Sequence, residues 1–148
     1  MSAFGILIVT KSVQQGYSGK SLSAKLGLRN GMKVALIGLP PEVLPLVSDV
    51  WSSLVEVPIA EAEYVHIFSV DGYVVKDLAS VLRKQFTNSE VLWISWPKKT
   101  SGVVTDITED RLREWILPTG LVDVKVCAVD ATWSALKFVL RKELRTGR

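Results

Sequence analysis

A short polar loop carries the residues best suited to binding a ligand. Lys98, Lys99, Thr100 and Ser101 follow an apolar run and precede Gly102. In open α/β sheets, ligands bind beyond the carboxyl ends of the strands, and ammonium and hydroxyl groups there can hold a phosphate, carboxylate or sulfate group. We interpret the loop as a candidate site for a small anionic ligand, with an ordinary solvated loop as the alternative.

Two residues near the C-terminus are candidates for the same site. Trp133 lies in a short connection, where an indole either covers the core or stacks on a planar ligand beside the lysine loop. Asp130 is favoured as a turn residue that accepts hydrogen bonds from backbone N–H groups, ahead of a catalytic role. Trp133 is therefore predicted to form an apolar wall of the site.

The residues that usually carry catalysis are scarce. The chain has one histidine, His66, and one cysteine, Cys127, so a disulfide within the chain and a two-thiolate metal site are both excluded. His66 lies in an apolar run and is favoured as a hydrogen-bonded core residue rather than a general base, and nothing near Cys127 in the sequence would lower its pKa. The chain contains no G-x-G-x-x-G, no phosphate-binding P-loop motif and no G-x-S-x-G. We therefore predict no catalytic residue, metal or cofactor. The scarcity of catalytic residue types and the missing motifs together favour a protein that is not an enzyme.

Alternating strands and helices position these residues. Apolar runs predict buried strands at residues 4–10, 33–39, 54–57, 64–70 and 91–96. Helices are predicted from Ser21 to Gly27, from Pro40-Pro41, from Asp71-Gly72 and after Thr108, with a loop at residues 11–19. This alternation indicates a largely parallel sheet covered by helices on both faces.

The C-terminal part of the chain has a different pattern. In residues 121–128, Val122, Val124 and Val126 alternate with polar residues, which predicts a strand with one buried face. A second alternating run follows after about five residues, a connection too short for a crossover helix, so the two strands should pair antiparallel. Asp123 is expected near Lys137 or Arg141 on the exposed face.

The patterns together predict a single α/β domain covering residues 1–148. Its architecture is three-layered, helix–sheet–helix and Rossmann-like, with a mostly parallel sheet and a C-terminal antiparallel hairpin. No linker rich in Pro, Gly or Ser divides the chain.

Composition excludes several classes of protein and partner. The chain has 148 residues, of which 48% are hydrophobic and 22% charged, so it is not a disordered or collagen-like chain. The net charge is +3, and residues 137–148 alone carry +4, which leaves −1 for the other residues. A basic tail can bind nucleic acid, but a solvated tail is favoured, and nucleic acid is not an expected partner.

Hydropathy bears on localisation and assembly. The apolar run at residues 4–9 is too short to span a membrane and no basic segment precedes it, so we expect a cytoplasmic protein without a signal peptide. Five tryptophans and a mean hydropathy of +0.27 are high for a small monomer. They favour a homodimer formed through an apolar edge or face.

Several short motifs resemble a family of small bacterial proteins catalogued as a domain of unknown function. The matching segments run from Tyr17 to Lys142: Tyr17-Ser18-Gly19, Leu26-Gly27-Leu28 with Gly31, Trp96-Pro97-Lys98-Lys99, Thr108-Glu109-Asp110 and residues 120–142. Ala135 departs from the family, which is expected to have glycine there. The resemblance implies a bacterial cytoplasmic protein and carries over no activity, cofactor or catalytic residue.

Three hypotheses of function follow. The leading one is a non-catalytic domain that binds a small anion or a protein partner through the strand-end loops. The second is a Rossmann-like enzyme relic, because a terminal antiparallel hairpin after a parallel sheet is similar to the end of S-adenosylmethionine-dependent methyltransferases. The missing glycine-rich first loop argues against retained cofactor binding in that case. The third is nucleic-acid binding through the basic tail.

Overall fold

The computed structural model describes residues 20–146. The strand predicted at residues 4–10, the loop predicted at residues 11–19 and the family motif at residues 17–19 lie outside the described residues.

The described strands form one six-stranded sheet. Their bounds are Lys33–Ile37 (β1), Val55–Glu56 (β2), Tyr64–Phe68 (β3), Val91–Pro97 (β4), Leu121–Ala128 (β5) and Trp133–Leu140 (β6). Their spatial order is β2-β1-β3-β4-β6-β5. The first four strands are parallel to one another, and β6 pairs antiparallel with both β4 and β5. The predicted fold class, mostly parallel α/β with a C-terminal antiparallel pair, is confirmed.

Short helices connect the strands. The α-helices within residues 20–146 are Leu22–Leu26 (α1), Ser48–Trp51 (α2), Gly72–Gln85 (α3) and Glu109–Ile116 (α4). The 3₁₀ helices are Pro41–Val47, Ile59–Glu61, Lys99–Ser101, Leu117–Thr119 and Lys142–Leu144. No helix of this part of the chain is long and apolar enough to cross a membrane.

The predicted helix signals act as local caps. Ser21 Oγ accepts a hydrogen bond from the Ala24 N–H at 3.1 Å and begins α1, and Gly27 ends it with a φ of +77°. Thr108 Oγ1 accepts from the Arg111 N–H at 3.1 Å and begins α4. These ends depend on residues close in sequence, so the sequence alone can place them.

The segment after β1 is not the continuous α-helix that was predicted. Pro41–Val47 is a 3₁₀ helix, and α-helical geometry begins only at Ser48. Pro45 lies inside the segment and has no N–H to donate, which interrupts an α-helical hydrogen-bond ladder. The segment still buries Val43 and Val47 against the sheet.

Helices cover both faces of the sheet. The first face, under α3 and α4, packs Val65, Ile67, Leu92, Ile94, Leu136 and Phe138 against the helices. The second face, under α1 and the segment from Pro41 to Trp51, packs Val34, Tyr64, Phe68, Trp93 and Ala135. The fully buried Trp93 donates its indole N–H to the Leu26 carbonyl at 2.9 Å, which fixes the end of α1 on the second face.

The antiparallel hairpin is confirmed, but its predicted faces are wrong. A β-bulge lies between Asp123 and Lys125, so the register with β6 shifts by one residue. A shift of one residue moves the following side chains to the other face. Val124 and Val126 are 53% and 52% exposed for this reason, although the sequence pattern predicts them to be buried, and Val122 is only partly buried.

The bulge also bears on the predicted partner of Asp123. This residue lies opposite Phe138 on the face covered by α4, and its Oδ2 accepts a hydrogen bond from Arg113 Nε at 3.0 Å. The prediction that Asp123 lies near Lys137 or Arg141 is therefore wrong, because a helix supplies its cationic partner.

Candidate functional site

The carboxyl ends of the four parallel strands meet at one edge of the sheet. β1 lies between β2 and β3 in the sheet. The connection after β1 leads to β2 on one side of β1, and the connection after β2 leads to β3 on the other side. Rossmann-like folds bind their ligands at such a switch point, in the crevice outside the strand ends. The crevice between the ends of β1 and β3 is therefore the position at which we expect a ligand.

Gly38 brings the ends of β1 and β3 into close contact. It has a φ of +71°, and a Cβ atom there would lie 2.5 Å from the Phe68 carbonyl oxygen. Leu39 packs into the second-face core, and Pro40 is buried. The turn after β1 is thus filled by its own residues, and it lacks the glycine-rich backbone that lets a pyrophosphate approach in dinucleotide enzymes.

An exposed carboxylate follows β3 at this edge. Asp71 comes after β3, and its Oδ1 accepts from the Tyr73 N–H at 2.9 Å to cap α3. Glu56 ends the two-residue strand β2, but it pairs with Val34 near the start of β1 and is level with Tyr64, the first residue of β3, so it lies away from this edge. The sequence pattern places Asp71 only at the start of a helix; the signal for a further role is its position directly after a buried strand.

A cavity of about 550 Å³ opens beside the end of β4, next to the switch point. Its lining is mainly apolar and carries charged groups: Trp96, Pro97, Lys98, Lys99, Gly102, Val103, Val104, Thr105, Ile107, Thr108, Glu109 and Ser134. Thr105 Oγ1 donates to the Val70 carbonyl at 2.7 Å, so one wall of the cavity is tied to the segment that follows β3.

The structure places part of the predicted lysine loop at this cavity. Lys98 and Lys99 line it, whereas Thr100 and Ser101 do not. Ser101 Oγ donates to the Lys98 carbonyl at 2.6 Å and accepts from the Val103 N–H at 3.1 Å. The Ser101 hydroxyl therefore holds the turn, and the structure does not bring Thr100 to the cavity with the two lysines.

Asp130 and Trp133 also lie outside the cavity. Asp130 Oδ1 accepts from the N–H groups of Thr132 at 2.8 Å and Trp133 at 2.7 Å, which is the turn role that the sequence favoured. The Trp133 indole packs edge-on against Phe68 at 5.4 Å between ring centroids, on the second face of the sheet. Trp133 therefore does not form the predicted apolar wall beside the lysines, and Ser134, on the first face, lines the cavity instead.

His66 is a hydrogen-bonded core residue. Its Nδ1 lies 3.1 Å from the Tyr64 hydroxyl and its Nε2 lies 2.7 Å from Ser95 Oγ, and all three side chains are buried. The ring stacks on Phe68 at 4.2 Å between centroids. Burial lowers the pKa of His66 from 6.5 to about 3, so the imidazole is neutral in the folded protein at physiological pH.

The described residues show no metal centre. No group of three or more His, Cys, Asp or Glu side chains within residues 20–146 has the arrangement of a metal site.

Comparisons with known proteins identify the fold. No protein-family model matches the chain, and no curated protein sequence matches it either. The resemblance to a bacterial family of unknown function stays a prediction.

Several solved structures share the fold at low sequence identity. A Sulfolobus solfataricus protein assigned as a type 11 methyltransferase aligns with a TM-score of 0.53 and 12% identity, over 86% of this chain and 92% of its own. A mutant of MtNAS aligns with a TM-score of 0.54 and 9% identity, over 80% of this chain and 57% of its own. The B. subtilis tRNA methyltransferase TrmK aligns with a TM-score of 0.50 and 14% identity, over 82% of this chain and 65% of its own. The chain thus spans less than two thirds of the length of two of these proteins.

These similarities correct the leading hypothesis. Two of these structures, the B. subtilis protein and the Sulfolobus solfataricus protein, are named as methyltransferases. The prediction of a non-catalytic anion-binding or protein-interaction domain is therefore wrong, and the alternative that relates the chain to S-adenosylmethionine-dependent methyltransferases is the better supported one. The fold of this chain is Rossmann-like, of the type found in those methyltransferases.

Proposed function

We propose that this chain is a Rossmann-like enzyme of the S-adenosylmethionine-dependent methyltransferase type. The observation that carries the proposal is the sheet order β2-β1-β3-β4-β6-β5, in which an antiparallel β6 lies between β4 and the edge strand β5. The same order places the switch point and the cavity beside β4 along one edge of the sheet.

The charge at the switch point fits S-adenosylmethionine. Asp71 follows β3 at this edge, and its negative charge suits a ligand with a cationic sulfur and an ammonium group. S-adenosylmethionine carries no phosphate, so the glycine-rich turn that serves a pyrophosphate is not required for it. The turn from Gly38 to Pro41 would contribute shape rather than a row of backbone donors, because Pro40 and Pro41 lack N–H groups.

The cavity beside β4 would hold the methyl acceptor. When bound, S-adenosylmethionine supplies a methyl group on a positively charged sulfur, and a nucleophilic atom of the acceptor takes it. Trp96 and Ile107 form buried apolar walls that exclude water, while Lys98, Lys99 and Glu109 supply charges that orient a polar acceptor. The hydrogen bond from Thr105 to the Val70 carbonyl holds this cavity beside the end of β3, next to the proposed cofactor position.

Thermal unfolding with and without S-adenosylmethionine tests the proposal. A ligand that binds only the folded state stabilises it by about 2.7 kcal/mol at a concentration of about 100 times its Kd, so we expect a clear rise in Tm. Asp71→Asn should reduce the rise, because it removes the negative charge while the amide oxygen can still cap α3. Glu56→Gln is the matched control, since Glu56 is an exposed carboxylate level with the amino ends of β1 and β3. No rise in Tm at millimolar S-adenosylmethionine, or an equal rise in the Asp71→Asn variant, would overturn the proposal.

A further inference from the structure

A second cavity, of about 380 Å³, is lined by lysines from distant parts of the chain. Lys20 and Lys25 come from the start of the described chain and from α1, and Lys125 comes from β5. Val126, Cys127 and Ala128 complete the lining. The fold thus gathers positive charge that is dispersed in the sequence.

A fourth lysine lies directly beside this cavity. Lys137 of β6 pairs across the hairpin with Lys125 of β5, so the two side chains share one face of the sheet. Like charges directly opposite each other on neighbouring strands are destabilising. Partial burial and the charge of Lys125 both lower the pKa of Lys137. The folded protein holds Lys125 and Lys137 opposite each other despite their repulsion. An anion bound between the two ammonium groups would reduce that repulsion.

The paired lysines of the hairpin form no salt bridge with the described residues. Arg113 forms ion pairs with Glu109, Asp110 and Asp123, and neither Lys125 nor Lys137 takes part in a salt bridge within residues 20–146. Lys125 Nζ donates to the Lys25 carbonyl at 2.8 Å, which holds the two chain segments together.

Cys127 does not make this cavity a thiolate site. Burial raises the pKa of the Cys127 thiol, although the nearby Lys25 and Lys125 act in the opposite direction. The thiol is therefore protonated at neutral pH and does not compete for the lysines as an anion.

The lysine surface and the cavity beside β4 lie on opposite faces of the sheet. Lys137 pairs with Trp93 of β4, which packs on the second face, and Lys125 shares that face. Lys98 and Lys99 follow β4 and line the cavity on the first face. The lysine surface is therefore separate from the proposed active site.

We propose that Lys20, Lys25, Lys125 and Lys137 form a surface that binds the phosphate backbone of a single-stranded nucleic acid. A single phosphate is usually held by backbone N–H groups at a helix N-terminus or in a nest. This surface instead presents ammonium groups from a helix and two strands, and such point charges on flexible stems suit a series of phosphates. The proposal goes beyond the proposed methyltransferase function and does not depend on it, because binding is measured without cofactor.

Fluorescence anisotropy with a labelled single-stranded RNA of about 20 nucleotides tests the proposal. Each neutralised phosphate of a single strand contributes about −0.7 to the slope of log K against log salt concentration, so four contacts predict a slope of about −3. Lys125→Gln combined with Lys137→Gln should reduce the slope to about −1.4 and weaken binding at least fivefold at low salt. The double variant should fold and melt close to the parent, because removal of the repulsive pair offsets the lost hydrogen bond from Lys125 to the Lys25 carbonyl.

Lys142→Gln is the control variant. Lys142 is an exposed lysine of the basic C-terminal segment, outside the lysine surface, so its removal should leave the affinity within about twofold. No binding at low salt, unchanged affinity in the double variant, or an equal loss in Lys142→Gln would overturn the proposal. A rise in Tm with inorganic phosphate or pyrophosphate, without RNA binding, would also overturn it and leave only a small-anion site.

Discussion

Acidification should destabilise the protein through its single histidine. His66 has a pKa of about 3 in the folded protein because burial disfavours the charged ring, against an ordinary value of 6.5. Below pH 6.5 the histidine therefore binds a proton in the unfolded chain, whereas in the folded chain it stays neutral until the pH approaches 3. The contribution of the neutral histidine to stability is fully present above pH 6.5 and is lost as the pH falls from 6.5 towards 3.

The size of the effect follows from the two pKa values. Each unit of pH below 6.5 removes about 1.4 kcal/mol, so lowering the pH from 7.5 to 5.0 should reduce the free energy of unfolding by about 2 kcal/mol through His66 alone. Urea unfolding followed by tryptophan fluorescence at several pH values measures it. The His66→Gln variant cannot titrate at this position, so its stability should fall by about 2 kcal/mol less than that of the parent over the same range.

Two results would refute this reasoning. One is an equal pH dependence in the parent and in His66→Gln. The other comes from the parent protein alone, by NMR titration of the imidazole, which needs no assignment because the chain has one histidine. Protonation of the folded protein with a pKa near 6.5 would show that the ring is not held neutral by burial.

Three further substitutions test the packing that positions the candidate site. Gly38→Ala should destabilise the protein by about 2–3 kcal/mol in urea unfolding, since its Cβ would meet the Phe68 carbonyl oxygen at 2.5 Å. Gly102→Ala is the control: Gly102 has a similar φ but open space around it, so the free energy of unfolding should fall by only about 1 kcal/mol. Trp93→Phe should cost about 1–3 kcal/mol, because it leaves a buried carbonyl without its donor; calorimetry would show this as a lower Tm, and an unchanged Tm would contradict the role of that hydrogen bond. Arg113→Ala should cost about 1 kcal/mol or less at low salt and still less in 1 M salt, because the ion pairs are partly exposed; a loss that does not depend on salt would show that packing rather than charge matters there.

The parts of the fold that depend on local signals could be predicted from the sequence. Ser21 and Thr108 cap helices through residues three positions away, and the short connection before β6 leaves no room for a crossover. The sheet class followed from these elements and from the apolar strands. Pro45 disfavours a continuous α-helix after β1, but the sequence pattern does not show that a 3₁₀ helix replaces it.

The parts that depend on long-range packing could not be predicted. Nothing around Val124 in the sequence signals the bulge that turns Val126 to the solvent, because a bulge is defined by its pairing with the neighbouring strand. Trp133 and Lys98 both lie near the turn between β5 and β6, but on opposite faces of the sheet. The register between β4 and β6 determines these faces, and the sequence does not show that register. The lysine surface could not be predicted for the same reason, since Lys125 of the hairpin lies 100 positions from Lys25 of α1.

The identity of the ligand site is likewise a matter of strand order. Asp71 is one of many exposed carboxylates in the sequence. It acquires a specific position only when β3 is placed between β1 and β4, because the segment that follows β3 then lies at the carboxyl edge of the sheet.

A structure of the protein crystallised with S-adenosylhomocysteine tests the central claim most directly. We predict ligand density in the crevice between the ends of β1 and β3, with the sulfur directed towards the cavity beside β4. Density confined to the lysine surface, or an empty crevice at saturating ligand, would contradict it.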